Sequence, residues 1–311
     1  MESSTRSIPA GIAPLAYVEL GKLKIFELWL GVLLAWSLLP PSYSSDPTAL
    51  ALLACALVIE MGTTAAALAL DDVTGFRDGV DVANHTDSDR YGVNKPLLSG
   101  EINERQALVF GYGAALTAIV AMLVGWALAV PVPGWLFVLT IAIFLIGVNY
   151  SYGLRLSYRF GGGELITCVT VGATLLLPYA LVTDSVPGVV LVQSALLGLW
   201  MLQIAIFSNS QDAAGDREAD RHTVAASVSP RANDAFILTV FCVSWALLVG
   251  SIVGGALESA FLVLLLLVPL QVRQLVAGLR DRDWMRARAI GFWVFRLAAA
   301  ALFVANLLVL Q

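Results

Sequence analysis

Nine stretches of this chain stay apolar for long enough to cross a bilayer as helices, and no other feature restricts its fold so strongly. They centre near Trp29, Leu57, Leu116, Ile143, Thr170, Leu197, Val243, Leu264 and Ala300. With 59% hydrophobic and 13% charged residues, no block between them is long enough to fold in water by itself. The first stretch follows Lys22 and Lys24 and lacks a small-residue cleavage site, so it reads as a retained helix rather than a leader. The pattern predicts an all-α membrane protein with nine transmembrane helices in a single bundle. It would form one domain over residues 1–311, with a short N-terminal tail at residues 1–15.

Basic residues fall on alternate connections. Lys22 and Lys24 precede the first stretch, and Arg77, Arg90, Lys95 and Arg105 lie between the second and third. Arg155 and Arg159 follow the fourth; Arg217, Arg221 and Arg231 follow the sixth; Arg280, Arg282, Arg286 and Arg288 surround the last connection. The intervening connections, near Pro41, Pro131, Asp184 and Gly254, hold no Lys or Arg. An excess of basic residues marks the cytoplasmic side. The expectation is therefore a multi-pass protein of the cell membrane with a cytoplasmic N-terminus and an external C-terminus. Cys55, Cys168 and Cys242 stand at no ligand spacing, which argues against disulfide or zinc chemistry.

Two acidic, Gly-containing stretches interrupt the oily pattern, both on the side assigned to the cytoplasm. DDVTGFRDGVD runs from Asp71 to Asp81, and NSQDAAGDREAD from Asn209 to Asp220. In the second, Asp212, Asp216 and Asp220 recur every four residues and would share one face of a continued helix. Like charges so stacked repel, and a cation relieves the repulsion. Hard oxygen ligands suit Mg²⁺, which joins a few carboxylates to substrate phosphates. The candidate metal ligands are Asp71, Asp72, Asp78, Asp81, Asn209, Asp212, Asp216 and Asp220. Candidate contacts to a diphosphate are Lys95, Arg155, Arg159, Arg77 and Arg217. The plain alternative is two solvated acidic loops whose basic neighbours only anchor the orientation.

These residues resemble the UbiA superfamily of intramembrane prenyltransferases, over essentially the whole chain. DAAGDREADRHTVA is similar to the family's second Asp-rich motif, NKPLLSGEI to the stretch after its first, and NYSYGLRLSYRFGGGELI to the segment joining its fourth and fifth helices. The resemblance implies nine helices, two Asp-rich cytoplasmic loops, Mg²⁺ and an isoprenyl diphosphate. The first motif departs from the pattern. Asp71 stands where the family has Asn, Asp72 matches its first Asp, Gly75 stands where its middle Asp is expected, and Asp78 and Asp81 are the candidates for its last.

Ionising an allylic diphosphate requires stabilising the charge that builds on pyrophosphate, which metal ions and basic side chains do electrostatically. The cation left behind needs a dry cavity with aromatic faces. Tyr150 is one candidate for that role, with Phe26, Trp29, Tyr112, Tyr179, Trp200 and Phe207 beside it. Glu60, a carboxyl deep in an apolar stretch, is a candidate to take a proton or steady the cation. The altered first motif points to a terpene cyclase acting on a C15 or C20 diphosphate. The alternative is a prenyltransferase with an aromatic or quinone-precursor acceptor. A transporter would show broken helices and polar residues at mid-membrane, and neither stands out in the sequence. Membrane lipid is the expected surrounding; nothing points to nucleic acid or to a protein partner.

Overall fold

The computed structural model describes residues 13–85, 95–129 and 131–310, and among these it contains helices and short connections but no strand. Most of the expected N-terminal tail lies outside the described residues. Seven helices are long and apolar enough to cross a membrane. The protein is accordingly an integral, multi-pass membrane protein.

The first expected span is not one helix. Helix α1 (Ala13–Leu20) stops, a 3₁₀ turn covers Phe26–Leu28, and α2 (Leu30–Leu38) resumes beyond Trp29. Charge explains the break. Lys22 takes a left-handed backbone (φ 50°) and Glu27 is buried, so the chain here serves two polar side chains rather than a continuous apolar face.

The long helix α3 (Pro47–Asp78) starts at Asp46, which accepts from the Ala49 amide at 2.8 Å, with Pro47 at the first helical position. It ends at Gly79, whose φ of 82° suits only glycine without strain, and the short α4 (Val80–His85) follows at once. Next come α5 (Glu104–Leu128), opened by an Asn103–Gln106 capping box, and α6 (Gly134–Val148). At 15 residues, α6 is shorter than the other spans and reaches only roughly 22 Å. The remaining helices are α7 (Gly162–Thr183), α8 (Gly188–Glu218), α9 (Pro230–Val253), α10 (Val268–Leu275) and α11 (Trp284–Leu310). Helix α10 lies within a span at Ser259–Arg280 that begins as a 3₁₀ helix and ends in a π turn. Where nine spans were expected, the described residues hold seven long helices, one of 15 residues and one broken segment.

Helix α8 is the hub. In its most apolar window 67% of residues are buried, against 33% for α5, and it packs on α7, α9 and α11. Close approach depends on small residues: a Cβ on Gly198 of α8 would lie 2.2 Å from the Cys168 carbonyl oxygen of α7. Outward positions such as Val253, Leu266 and Leu308 are exposed, as suits contact with hydrocarbon.

Polar side chains do occur at depth, contrary to the impression from sequence. Gln193 and Asn306 bond each other's amides, and Asn306 also donates to Ser37 at 2.9 Å. Gln203 bonds Ser244 and accepts from Gln271. These amides satisfy one another, so they join α2, α8, α9, α10 and α11 rather than mark a permeation path.

Candidate active site

Both acidic stretches are helix ends, not loops. Asp71, Asp72 and Asp78 lie within α3, and Asp212 and Asp216 within α8. Asn209, Asp212 and Asp216 are spaced three and four apart, so they share one face of α8. That face meets Asp71 of α3, Asp81 and Asn84 of α4, Lys95, Arg221 and the α11 residue Arg288 around a cleft of about 190 Å³.

The carboxylates are held by neighbours. Lys95 Nζ donates to Asp72 Oδ1 at 2.6 Å and to Asp81 Oδ2 at 3.0 Å, while Lys22 reaches Asp72 Oδ2 at 3.5 Å. Burial works against the Lys95 charge, but Asp72, Asp81 and Asp71 outweigh it and keep the ammonium well above the ordinary lysine range. Lys22 is pulled lower by burial, which Asp72 only partly opposes. Burial also lifts Asp81, opposed by Lys95, to about 6. Asp216 accepts from Thr223 at 3.1 Å and from Asn84 at 3.3 Å. Asn209 donates to Glu164 Oε1 at 2.8 Å, which turns its carbonyl oxygen away from that acid. Arg221 Nη2 lies 3.6 Å from Asp71 and donates to Tyr150 Oη at 3.3 Å. Burial disfavours this guanidinium too, yet Asp71, Tyr150 and Asp216 hold it charged.

Gly75 and Asp81 meet in this cluster. A Cβ built on Gly75 would lie 2.7 Å from Asp81 Cγ and 2.8 and 2.9 Å from its two oxygens. The Asp81 carboxylate thus rests directly on the bare backbone of α3, reached through the turn at Gly79.

Five of the eight expected metal ligands line the cleft: Asp71, Asp81, Asn209, Asp212 and Asp216. The other three do not. Asp72, 1% exposed, lies beneath it as the partner of two lysines. Asp78 turns to Arg155 (2.8 Å) and Tyr158 in a separate surface pocket. Asp220 leaves the α8 register, because the helix ends at Glu218 and Asp220 adopts φ 56°, exposed beside His222.

Of the expected phosphate contacts, only Lys95 lines the cleft. Arg77 pairs with Glu104, Arg155 with Asp78, Arg217 donates to the Ala226 carbonyl, and Arg159 is exposed. The cations that do converge are Lys95, Arg221 and Arg288, with Lys22 behind. Lys22, Arg221 and Arg288 had served only to orient the chain. The signal for Arg221 was its place five residues after Asp216, past the helix end, where the chain turns back.

Tyr150 stands behind the cleft, with the Arg221 guanidinium 5.7 Å from its ring. Glu60 is buried in α3, and among the described residues no hydrogen bond or ion pair holds its carboxyl group. It is eleven residues before Asp71, which places both on one face of α3 roughly 16 Å apart.

Four carboxylates and three cations line the cleft, which leaves a net negative charge when all are ionised. A polyanion would enter only with cations of its own. Among the described residues no three acidic, histidine or cysteine groups converge to cage an ion. This fits Mg²⁺, which takes one or two carboxylates and completes its shell with water and phosphate.

Comparison with known proteins agrees with this architecture. The UbiA prenyltransferase family matches residues 25–307. No curated protein sequence is significantly similar to the chain. Among solved structures, digeranylgeranylglyceryl phosphate synthase superposes with a TM-score of 0.66 at 12% identity, covering 96% of this chain and 99% of that one. An apo UbiA homologue from Aeropyrum pernix K1 gives 0.65 at 15% identity, over 94% and 98% of the two chains. A UbiA homologue from Archaeoglobus fulgidus, bound to DMAPP and Mg²⁺, gives 0.63 at 11% identity over 92% and 99%.

Proposed function

The chain belongs to the UbiA prenyltransferase family, and from that premise we propose that it ionises an isoprenyl diphosphate with Mg²⁺ and cyclises the product cation to a terpene. The structural relative bound to DMAPP and Mg²⁺ supports the substrate class and the metal. Asp71, Asp81, Asn209, Asp212 and Asp216, which line the cleft, would share the Mg²⁺ ions, each ion taking one or two of their carboxylates and completing its shell with water and phosphate. Bound there, Mg²⁺ would supply positive charge to stabilise the pyrophosphate as it leaves. Lys95, Arg221 and Arg288 face the same space and bind the phosphate oxygens by charge-assisted hydrogen bonds. The distribution of basic residues turns this end of the bundle to the cytoplasm.

Glu60 carries the cyclase reading. A carboxyl with no partner among the described residues, buried on the Asp71 face of α3, is suited to accept the proton that a terminal carbocation must lose. It lies on the opposite side of α3 from Gly62, which packs against α5, so it points into the bundle. The isoprenoid tail would run from the cleft along this face.

One observation favours the transferase instead. The chemical argument from Gly75 was a missing carboxylate, and Asp81 brings a carboxylate to the same place. Purified protein, given Mg²⁺ and the C10, C15 and C20 diphosphates without acceptor, separates the two by gas chromatography. A cyclic hydrocarbon or alcohol is expected. Turnover that requires an added aromatic acid would reverse the assignment.

A further inference from the structure

In sequence Glu164 is one acid at the head of an apolar stretch. In the structure it is 4% exposed in the first turn of α7, and a single oxygen makes its hydrogen bonds. Oε1 accepts from the Val224 backbone N–H at 2.9 Å and from Asn209 Nδ2 at 2.8 Å, while Oε2 is buried without a partner among the described residues. A backbone N–H can only donate, so Val224 fixes Oε1 as an acceptor. Asn209 must therefore give Glu164 its NH2 end. Asn209 also lines the cleft, so its carbonyl oxygen is the end it turns to the space shared by Asp71, Asp212 and Asp216. The same acid anchors the returning chain: Val224 follows Thr223, which donates to Asp216 at 3.1 Å, and Arg221, which lies 3.6 Å from Asp71.

We infer that Glu164 is a positioning residue that sets the polarity of Asn209: by taking the amide NH2 from behind, it gives the cleft a neutral oxygen suited to a metal ion instead of a donor suited to phosphate. The inference rests on the Mg²⁺–diphosphate reading of the same cleft. An asparagine is ambivalent at such a place, because its two ends have nearly the same shape and opposite hydrogen-bonding sense. With its NH2 turned inward, Asn209 would add a donor beside Lys95, Arg221 and Arg288, and a metal ion would lose an oxygen. Glu164 does not line the cleft itself; it acts through Asn209.

The test separates metal affinity from phosphate affinity in the full-length chain in detergent. Mn²⁺ alone is titrated by the electron paramagnetic resonance of the free ion, and inorganic pyrophosphate alone, in EDTA, by calorimetry; a thermal melt in EDTA follows the fold. Glu164→Leu removes the acceptor and should weaken Mn²⁺ binding about tenfold while pyrophosphate binding is unchanged or tighter. Glu164→Gln keeps an acceptor oxygen and should hold Mn²⁺ within about threefold of wild type. A second pair of variants decides the matter should the leucine variant unfold. Asn209→Asp sets two acceptors against each other, whereas Glu164→Gln/Asn209→Asp gives the pair a donor again, so the double variant should bind Mn²⁺ about tenfold tighter than the single one. Parallel loss of both ligands in Glu164→Leu overturns the inference, since a merely structural role predicts it. Wild-type Mn²⁺ affinity in that variant, a glutamine variant as weak as the leucine one, or a double variant no tighter than Asn209→Asp does the same. If the wild type itself binds neither Mn²⁺ nor the preformed complex of Mn²⁺ and pyrophosphate, the metal–diphosphate reading of the cleft falls, and the inference falls with it for that separate reason.

Discussion

Removing the ammonium of Lys95 tests how the cleft is held together. Lys95→Met keeps the length and loses the charge that joins Asp72 (2.6 Å) to Asp81 (3.0 Å). Asp72 is 1% exposed, so its carboxylate would then depend on Lys22 alone at 3.5 Å. Breaking a buried pair from one side costs about 3–5 kcal/mol, since the remaining charge cannot recover its hydration. Asp72→Asn should cost less, because Lys95 keeps Asp81 and Lys22 is partly exposed. The double variant removes both charges, and its loss should fall short of the sum by about 2 kcal/mol. Reversible unfolding in detergent with EDTA, followed by circular dichroism, measures this cycle. Turnover should stay lost in the double variant, since Lys95 also faces the diphosphate position. Additive losses would refute the view that Asp72 serves as the buried counter-ion of Lys95. So would an Asp72→Asn protein of wild-type stability that no longer binds the Mn²⁺–pyrophosphate complex, for Asp72 would then be a metal ligand.

Three other outcomes follow from the same geometry. Asp81 holds its proton more tightly in the fold, to about 6, than in the unfolded chain, so stability falls as pH rises through the window from the ordinary Asp value to about 6. In EDTA, wild type should lose up to about 3 kcal/mol relative to Asp81→Asn across that window and no more above it; a constant difference in urea-unfolding titrations would contradict the assignment. Glu27, 1% exposed, is paired with Arg296 at 36% exposure among the rings of Phe26, Phe292 and Trp293. Arg296→Met should therefore destabilise by about 3–5 kcal/mol and Glu27→Gln by clearly less, with the reverse order in thermal melts counting against a buried acid held by a half-exposed base. Glu60→Gln should keep the fold and alter product ratios or rate, which product chromatography beside a thermal melt decides, and unchanged products would leave Glu60 a packing residue.

Much of the fold was legible because hydrocarbon imposes one simple demand on a chain, continuous apolar length with every backbone group paired inside the helix. That demand locates α3, α5, α7, α8, α9 and α11 from the sequence alone. It fails where a charged side chain is recruited inward. Lys22 and Glu27 break the first span because each has a partner elsewhere, Asp72 for one and Arg296 for the other, and no local pattern contains those partners. The amides of Gln193, Gln203, Gln271 and Asn306 were overlooked for the same reason: each is isolated in sequence and is satisfied only across helices.

The site divides along the same line. Asn209, Asp212 and Asp216 were legible as a set, because helical spacing alone brings them to one face. Asp220 was assigned to it by extending the period past Glu218, where the helix had already ended. Lys95 and the basic residues Arg77, Arg155, Arg159 and Arg217 looked equivalent as charges on one side of the membrane. Distance separates them: four are spent on Glu104, Asp78, the Ala226 carbonyl or solvent, while Lys95 reaches two carboxylates at once. The chemical weight given to Gly75 shows the limit most clearly. In sequence a glycine in place of an acid reads as a lost ligand, since residue identity is all that can be counted. In space the Asp81 carboxylate lies against that glycine, so the cluster near Asp71 is not without a carboxylate at that place. A difference in the first motif is therefore weak ground for choosing cyclase over transferase, and the choice passes to the part of the bundle where the carbocation must be quenched, the Glu60 face of α3.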